Sequence, residues 1–547
     1  MRRAQTAPAV ALTAILTIGI ALRAIEYAAL GSLWLDELFI ALNVTTRSWD
    51  QLLTTPLIYH QVAPVGFLAV LKLATRFLGA NEAALRLFPF ICSIASLFLF
   101  WRISVRFLSP FIGLSALAVF SVSPALLWYS RNAKQYSSDV AVVLLLIWIA
   151  LRFREGRSDQ NRTIVSGIVG GIAILFSHPA VLVAGVLVMI LLIQEWTSKR
   201  PSRPLVYLAV GWSIGAIIVI RTSLILSPAA TREFMRAGWG SRGFLPFGPE
   251  ILLWIPHKLS VLLGLFVGQF KADTGLEELI AGALALPAVL GLPYLLHRNG
   301  GAALIVSAPI LASILGSAAR ILPLSGRVSI YVAPMLLLIA MAGIDHLRSW
   351  LPREWRTVVH VIALAIVIVP VAILVLFIRF PDRREETRPV LEELRSRWQQ
   401  GDEIYVLPPA RPAMEFYGKP LGFRSWQTGA NLNDLRSRLK ELDSFRGQSR
   451  LWIFFTHAVP CRQGLIRAYL EAIGREIDRI EDPYGNTGKR EAAAYLFDLS
   501  DPDRLARTNA VIFPIPAHIA EDCGYPEKDP WTRARDRLRS FMKALRG

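Results

Sequence analysis

Two adjacent carboxylates, Asp36 and Glu37, stand in "GSLWLDELFIALNV" (31–44), directly after a long apolar run. A carboxylate at a membrane–water boundary can take the proton of a hydroxyl as that hydroxyl attacks. It can also simply cap a helix. Asp is a favoured N-cap, and "ELFIALNVTTRSWDQLL" is compatible with an amphipathic helix lying on a membrane. The cap reading is partial, because a capping box wants Glu or Gln three positions on, where Phe39 stands. Composition alone favours the cap.

Other stretches shift that balance. "YSRNAKQYSSD" (129–139) brings Arg131, Lys134 and Tyr136 together, and "SGRVSIYV" (325–332) adds Arg327 and Tyr331. Guanidinium groups fork phosphate oxygens and an ammonium acts as a point charge, so these types suit a phosphate on a lipid. Any single Arg here is equally explained by snorkelling to headgroups. A cluster on the same side as a carboxylate pair is explained less well that way. His60 and Gln61 in "YHQVAPVGF", and His178 in "SHPA", are further candidates for contacting substrate, although a lone His at a helix end is more often structural. HxxH and HExxH patterns are absent from the sequence, so no tight metal site and no cofactor are expected.

These residues need elements to hold them. Of 547 residues 54% are hydrophobic and only 18% charged, with a mean hydropathy of +0.44. The apolar residues come in blocks of about 20, long enough to cross a bilayer as helix. The chain reads as a polytopic membrane protein. Its net charge of +18 sits mainly in short loops between apolar blocks, a mark of topology and not of nucleic-acid binding. No zinc-finger spacing, P-loop or dinucleotide fingerprint is present in the sequence. The N-terminus has the basic and apolar parts of a signal peptide, but its apolar stretch is long and lacks a clear cleavage site, so a retained first span is expected.

Apolar blocks near 8–27, 85–107, 110–129, 138–153, 163–177, 179–195, 204–226, 276–296, 302–318, 330–346 and 358–379 give about eleven spans. The segment 250–270, interrupted by Pro256, His257 and Lys258, reads as interfacial or re-entrant. Placing Arg2 and Arg3 in the cytoplasm makes every alternate loop basic, from Arg102 and Arg106 to Arg348, Arg353 and Arg356. Asp36, Lys134, His178 and Arg327 then face outward, as does everything after residue 380. The expected organisation is a transmembrane domain over 1–380 and an outer α/β domain over 381–547. In the latter, β-like runs "GDEIYVLPPA", "SRLWIFFTHAV" and "AAAYLFDLS" alternate with helical patterns "RPVLEELRSRWQQ" and "LIRAYLEAIGREIDRI". Cys461 and Cys523 are the two cysteines of that outer region, and an oxidising compartment favours a bridge between them.

The stretches "SLWLDELFIALNV", "RSWDQLL", "LIYHQVAPVGFLAVLKL", "LGANEAALRLFPF" and "LWYSRNAKQYSSDV" together resemble the N-terminal half of glycosyltransferase family 39. That family has the GT-C membrane fold and includes protein O-mannosyltransferases and lipid A aminoarabinose transferases. The resemblance covers roughly residues 15–195, extends to "SGRVSIYVAP" (325–334), and touches the outer domain at "GDEIYVLPPARPAMEFYG" (401–418). It implies a bacterial cytoplasmic-membrane enzyme, N-terminus inside and C-terminal domain periplasmic. Its donor would be a sugar on polyprenyl phosphate, and transfer would occur on the outer face. The family's first-loop acid maps onto Asp36 and its neighbour onto Glu37. The chain departs from the pattern at Asn132, where many bacterial members carry an acid.

A glycosyl phosphate has a good leaving group, so an inverting transfer needs a base for the acceptor hydroxyl and cations for the departing phosphate. Asp36 is the expected base and Glu37 its supporting neighbour. Arg131, Lys134 and Arg327 are expected at the phosphate, with Tyr136 and Tyr331 as hydroxyl donors. The acceptor is a lipid, glycan or protein hydroxyl. Three other readings compete: an envelope polysaccharide polymerase or ligase, a lipid-linked sugar transporter or flippase, and a non-catalytic scaffold. A transporter should carry charges deep inside its spans and inverted repeats.

Overall fold

The structure, a computed structural model, describes residues 2–156, 159–198, 203–266, 276–379, 385–430, 435–457, 460–482 and 492–515. The chain forms two compact units. One comprises Met1–Leu30 with Asn43–Pro381, and the other Gly31–Leu42 with Asp382–Gly547.

The first unit is helical, and the chain is a multi-pass membrane protein. Eight helices among the described residues are long and apolar enough to cross a membrane, or nine if Pro110–Val122 and Pro124–Ser130, bent by 50°, form one span. The expected eleven differ at three places. The first is that bend, which falls at Ser123 before Pro124. The second is Gln160–Ile174, only 15 residues long. The third is Leu276–Ala318, whose 43 residues are broken at Asn299, where the backbone leaves the helical region. An unbroken helix of that length would measure about 65 Å, twice the hydrocarbon thickness. The doubtful segment 250–270 contains the short apolar helix Ile251–Gly264.

Helix pairs in this unit meet through glycine. Gly167 and Gly171 of one helix face Gly211 and Gly215 of Arg203–Leu226, two GxxxG stripes in contact. A Cβ on Gly171 would lie 2.3 Å from the Gly211 carbonyl oxygen. The outer faces of both helices carry exposed Val165, Ile168, Ile172, Val210, Ile214 and Ile217, as lipid contact requires.

The second unit contains a five-stranded mixed sheet: β1 (Glu403–Val406), β2 (Gln427–Thr428), β3 (Leu451–Phe455), β4 (Arg475–Glu481) and β5 (Ala493–Asp498), in the order β2-β1-β3-β5-β4. β1 runs parallel to β2 and β3, while β5 is antiparallel to β3 and β4. The three expected strands are β1, β3 and β5. The expected helix "LIRAYLEAIGREIDRI" is corrected: Pro460–Ile473 is helical and the rest is β4. Gly474 makes the break, because a Cβ there would sit 2.3 Å from the Asp498 carbonyl oxygen. Beyond it Arg475, Asp478, Arg479 and Glu481 supply the charged edge that discourages pairing with another sheet. Tyr405, Ile453, Phe455, Tyr469, Leu470, Tyr495 and Phe497 fill the core of this unit.

Cys461 is disulfide-bonded and Cys92 is a buried free thiol. Cys523 lies outside the described residues.

Candidate active site

The first-loop helix runs Leu35–Thr46, and its cap is not Asp36. The Trp34 carbonyl accepts from the N–H groups of Glu37 and Leu38, so Trp34 is the cap residue. Glu37 occupies the third helical position, and its Oε2 accepts from the Trp34 N–H at 3.0 Å, the backbone half of a capping box. The helix-start role expected of the pair thus falls to Glu37, which is only 2% exposed. Asp36 sits half-buried one residue earlier in the same turn.

The residues leading into this turn are tied within the second unit. Glu386 Oε2 accepts from both the N–H and the Oγ of Ser32 at 2.8 Å, and the Tyr417 hydroxyl accepts from the Leu33 N–H at 2.8 Å. The Trp34 ring packs edge-on against His457 at 4.7 Å, and His457 Nδ1 lies 3.4 Å from Glu385 Oε1. None of Glu385, Glu386, Tyr417 or His457 was expected here. Only Tyr417, within the 401–418 stretch, carried any signal in the sequence.

The expected phosphate-binding residues lie in the first unit. The helix Pro124–Ser130 ends in a tight turn in which Asn132 Nδ2 donates to the Trp128 carbonyl and the Lys134 N–H to that of Asn132. Asn132 therefore serves as a turn residue. Lys134 Nζ donates to Gln61 Oε1 at 2.7 Å. The loop bearing Gln61 is itself pinned: Asn43 Oδ1 accepts from the Ile58 N–H at 3.0 Å, and the Leu57 N–H donates to the Leu226 carbonyl. Tyr59 and His60 both adopt positive φ, 61° and 51°. Two consecutive strained residues of this kind persist only where surrounding contacts fix them. His60 meets that condition by stacking on Phe234 and reaching Thr231 Oγ1 at 3.3 Å.

Arg327 lies 5.9 Å from the centre of the Tyr136 ring, a cation–π arrangement that joins the two segments. Arg131 is paired with Glu26 at 3.1 Å and stacked 4.4 Å over Trp128. Tyr331 and His178 are placed differently from the expectation of ligand contact. Tyr331 is 0% exposed and shares a hydrogen bond with Ser313, and His178 Nε2 bonds Ser223 Oγ at 2.8 Å. Both rings are directed into helix packing, where a polar tip needs an internal partner.

Two buried ionisable residues lie inside spans, of which Asp139 closes the 129–139 stretch and Arg23 was not anticipated. Arg23, in the first span, donates to the carbonyls of Gly19 and Ser121, the latter at the bend before Pro124. Asp139, in the span Tyr136–Arg154, is hydrogen-bonded to Ser177, which caps the helix His178–Thr197. The signal available was an ionisable residue inside an apolar block. Among the described residues no group of three or more His, Cys, Asp or Glu is placed to hold a metal.

Residues 62–225 match the family of dolichyl-phosphate-mannose-protein mannosyltransferases. That stretch includes Arg131, Lys134, Tyr136 and His178 but neither Asp36 nor Arg327. A search of curated proteins returns no match. Among solved structures, ArnT from Cupriavidus metallidurans in the apo state superposes with a TM-score of 0.52 at 11% identity, over 88% of this chain and 98% of that one. The same protein bound to undecaprenyl phosphate gives 0.53 at 12%, over 88% and 97%. The Archaeoglobus fulgidus oligosaccharyltransferase in complex with Zn and sulfate gives 0.46 at 12%, over 85% and 71%. The chain has the GT-C membrane fold and is similar to glycosyltransferase family 39, and family stretch and fold together support a transferase.

Proposed function

We propose that the protein transfers a sugar from a polyprenyl-phosphate donor to an acceptor hydroxyl at the outer face of the bacterial cytoplasmic membrane, with inversion. Asp36 takes the hydroxyl proton as the acceptor oxygen bonds to the anomeric carbon. The bond from that carbon to phosphate breaks on the opposite face, and polyprenyl phosphate leaves with the electron pair. Lys134 and Arg327 stabilise the charge that gathers on it, and Tyr136 donates a hydrogen bond. Arg131, held by Glu26, lends positive potential and shapes the turn. Gln61 orients the Lys134 ammonium, and His60 braces the Gln61 loop. The N-terminus is cytoplasmic and the sheet-bearing domain periplasmic.

One observation carries this reading. Glu37 takes the Trp34 N–H at the helix start, and Asp36 stands half-buried beside it in the same turn. The ArnT structure bound to undecaprenyl phosphate supports the donor class. The test is Asp36→Asn in purified full-length protein, with a sugar polyprenyl phosphate as donor. Transfer should fall by about 10²–10⁴-fold, the usual value of a general base, with the protein still folded. Near-normal turnover would refute the assignment. No metal takes part in this chemistry, so EDTA should leave the parent rate unchanged. Complete loss, restored by one divalent ion, would mean that distant carboxylates assemble a metal site.

A further inference from the structure

The approach to the first-loop helix consists of three successive backbone donors, and each is taken by a side chain. The Ser32 N–H goes to Glu386, the Leu33 N–H to Tyr417, and the Trp34 N–H to Glu37. Amide groups just ahead of a helix normally rely on solvent or on a local Ser, Thr or Asp. Here two of the three acceptors lie more than 350 residues away in sequence, 354 for Ser32 and 384 for Leu33. Glu386 is buried and fixed in turn, its own N–H donating to Asp482 Oδ2 at 2.9 Å. Ser32 Oγ, a donor to Glu386, also accepts from the Arg388 N–H at 3.1 Å. Gly31 leaves the room this needs, because a Cβ there would stand 2.6 Å from Glu386 Oε1.

We infer that Glu386 and Tyr417 are positioning residues for the Asp36 turn, so that the sheet-bearing domain sets the geometry of the proposed base. The inference rests on the reading of Asp36 as that base. A carboxylate accepting two bonds at 2.8 Å in a buried setting is a stiff anchor. Asp36 follows Trp34 by two residues, so rotation of the anchored backbone moves its oxygens directly. A displacement of about 1 Å at a reacting group costs up to ~10²-fold in rate. Donor binding, assigned above to Lys134 and Arg327 in the other unit, should not feel it.

The experiment compares Glu386→Ala, Glu386→Gln, Tyr417→Phe and Asp36→Asn in full-length protein, reading kcat, donor KM and amide hydrogen exchange over residues 31–37. Glu386→Ala should speed exchange there about tenfold or more, the effect of losing a charge-assisted acceptor. It should lower kcat by about 10- to 100-fold and leave donor KM within about twofold. Glu386→Gln, which keeps an acceptor oxygen, should restore both exchange and kcat. Tyr417→Phe should fall between, and it carries the test if Glu386→Ala does not fold. Unchanged exchange in Glu386→Ala would overturn the anchor. Faster exchange with an unchanged kcat, or a loss confined to KM, would overturn the positioning role. An active Asp36→Asn would instead sink the assigned base, while the exchange arm would still report on the anchor.

Discussion

Gly171 and Gly185 are both helical glycines of the first unit, and the structure predicts opposite outcomes for the same substitution. A Cβ at Gly171 would fall 2.3 Å from the Gly211 carbonyl oxygen, and Gly215 returns the contact, its own Cβ falling 2.2 Å from the Gly171 oxygen. The first distance is about 0.7 Å short of anything a real Cβ tolerates. Backbone on both sides leaves no flexible side chain to yield, so the two helices must separate along the whole stripe. Overpacking of this kind costs ~1–3 kcal/mol. At Gly185 nothing lies within 4 Å of a Cβ, and the substitution only removes the helix penalty of glycine, a gain of ~0.5–1 kcal/mol. Thermal unfolding of the two alanine variants in one detergent should therefore move in opposite directions from the parent. The first displacement also reaches the segment after the Gln61 loop. The helix bearing Gly171 leads into Leu175, whose carbonyl accepts from the Gly66 N–H at 2.9 Å, just past the Gln61 loop. Equal transitions for the two variants would refute the stripe as a close-packed contact.

Lys134→Ala should raise donor KM by about tenfold or more, as loss of a charged hydrogen bond does, with a smaller effect on acceptor KM. Equal binding of a radiolabelled polyprenyl-phosphate donor by parent and variant would move the phosphate elsewhere. In the sheet-bearing domain, burial raises the Asp402 pKa, but Arg450, the Gln399 N–H and the Trp452 indole outweigh it and hold the carboxyl below its ordinary value. A depressed carboxyl contributes stability above its unfolded pKa of about 3.9 and loses it as pH falls through the lower folded value. Asp402→Asn should thus destabilise the domain at neutral pH and flatten its acid transition, and an unaltered transition would count against the network. Non-reduced peptide mapping of native protein should join Cys461 to Cys523, the pairing we propose, and alkylatable thiols at both positions would exclude it.

Much of this was legible because it is local. Apolar blocks announce spans, and Ile, Val, Tyr and Phe runs announced β1, β3 and β5. What failed was anything decided by a partner. Block length could not show that the chain bends at Ser123. Tyr331 was expected as a hydroxyl donor to the phosphate, and its hydroxyl meets Ser313 inside the packing. Composition alone favoured Asp36 as the cap of the first-loop helix, whereas the cap sits two residues earlier and engages Glu37. The anchors at Glu386 and Tyr417 join residues too far apart in sequence for any periodicity to register.

The buried charges bear on the choice between a transferase and a transporter. A transporter reading gains from ionisable residues inside spans, and Arg23 and Asp139 are two of them. Their partners, however, are the ends of other helices. Arg23 meets the Ser121 carbonyl, where Pro110–Val122 stops and its dipole ends negative. Asp139 meets Ser177, whose hydroxyl accepts from the Ala180 N–H at the start of His178–Thr197. Each side chain meets polar groups that a helix end exposes, which is how a membrane interior tolerates a broken helix. These contacts give each side chain a structural role at a helix end. At the start of the first-loop helix the acid that engages the backbone is Glu37, with Asp36 beside it in the same turn.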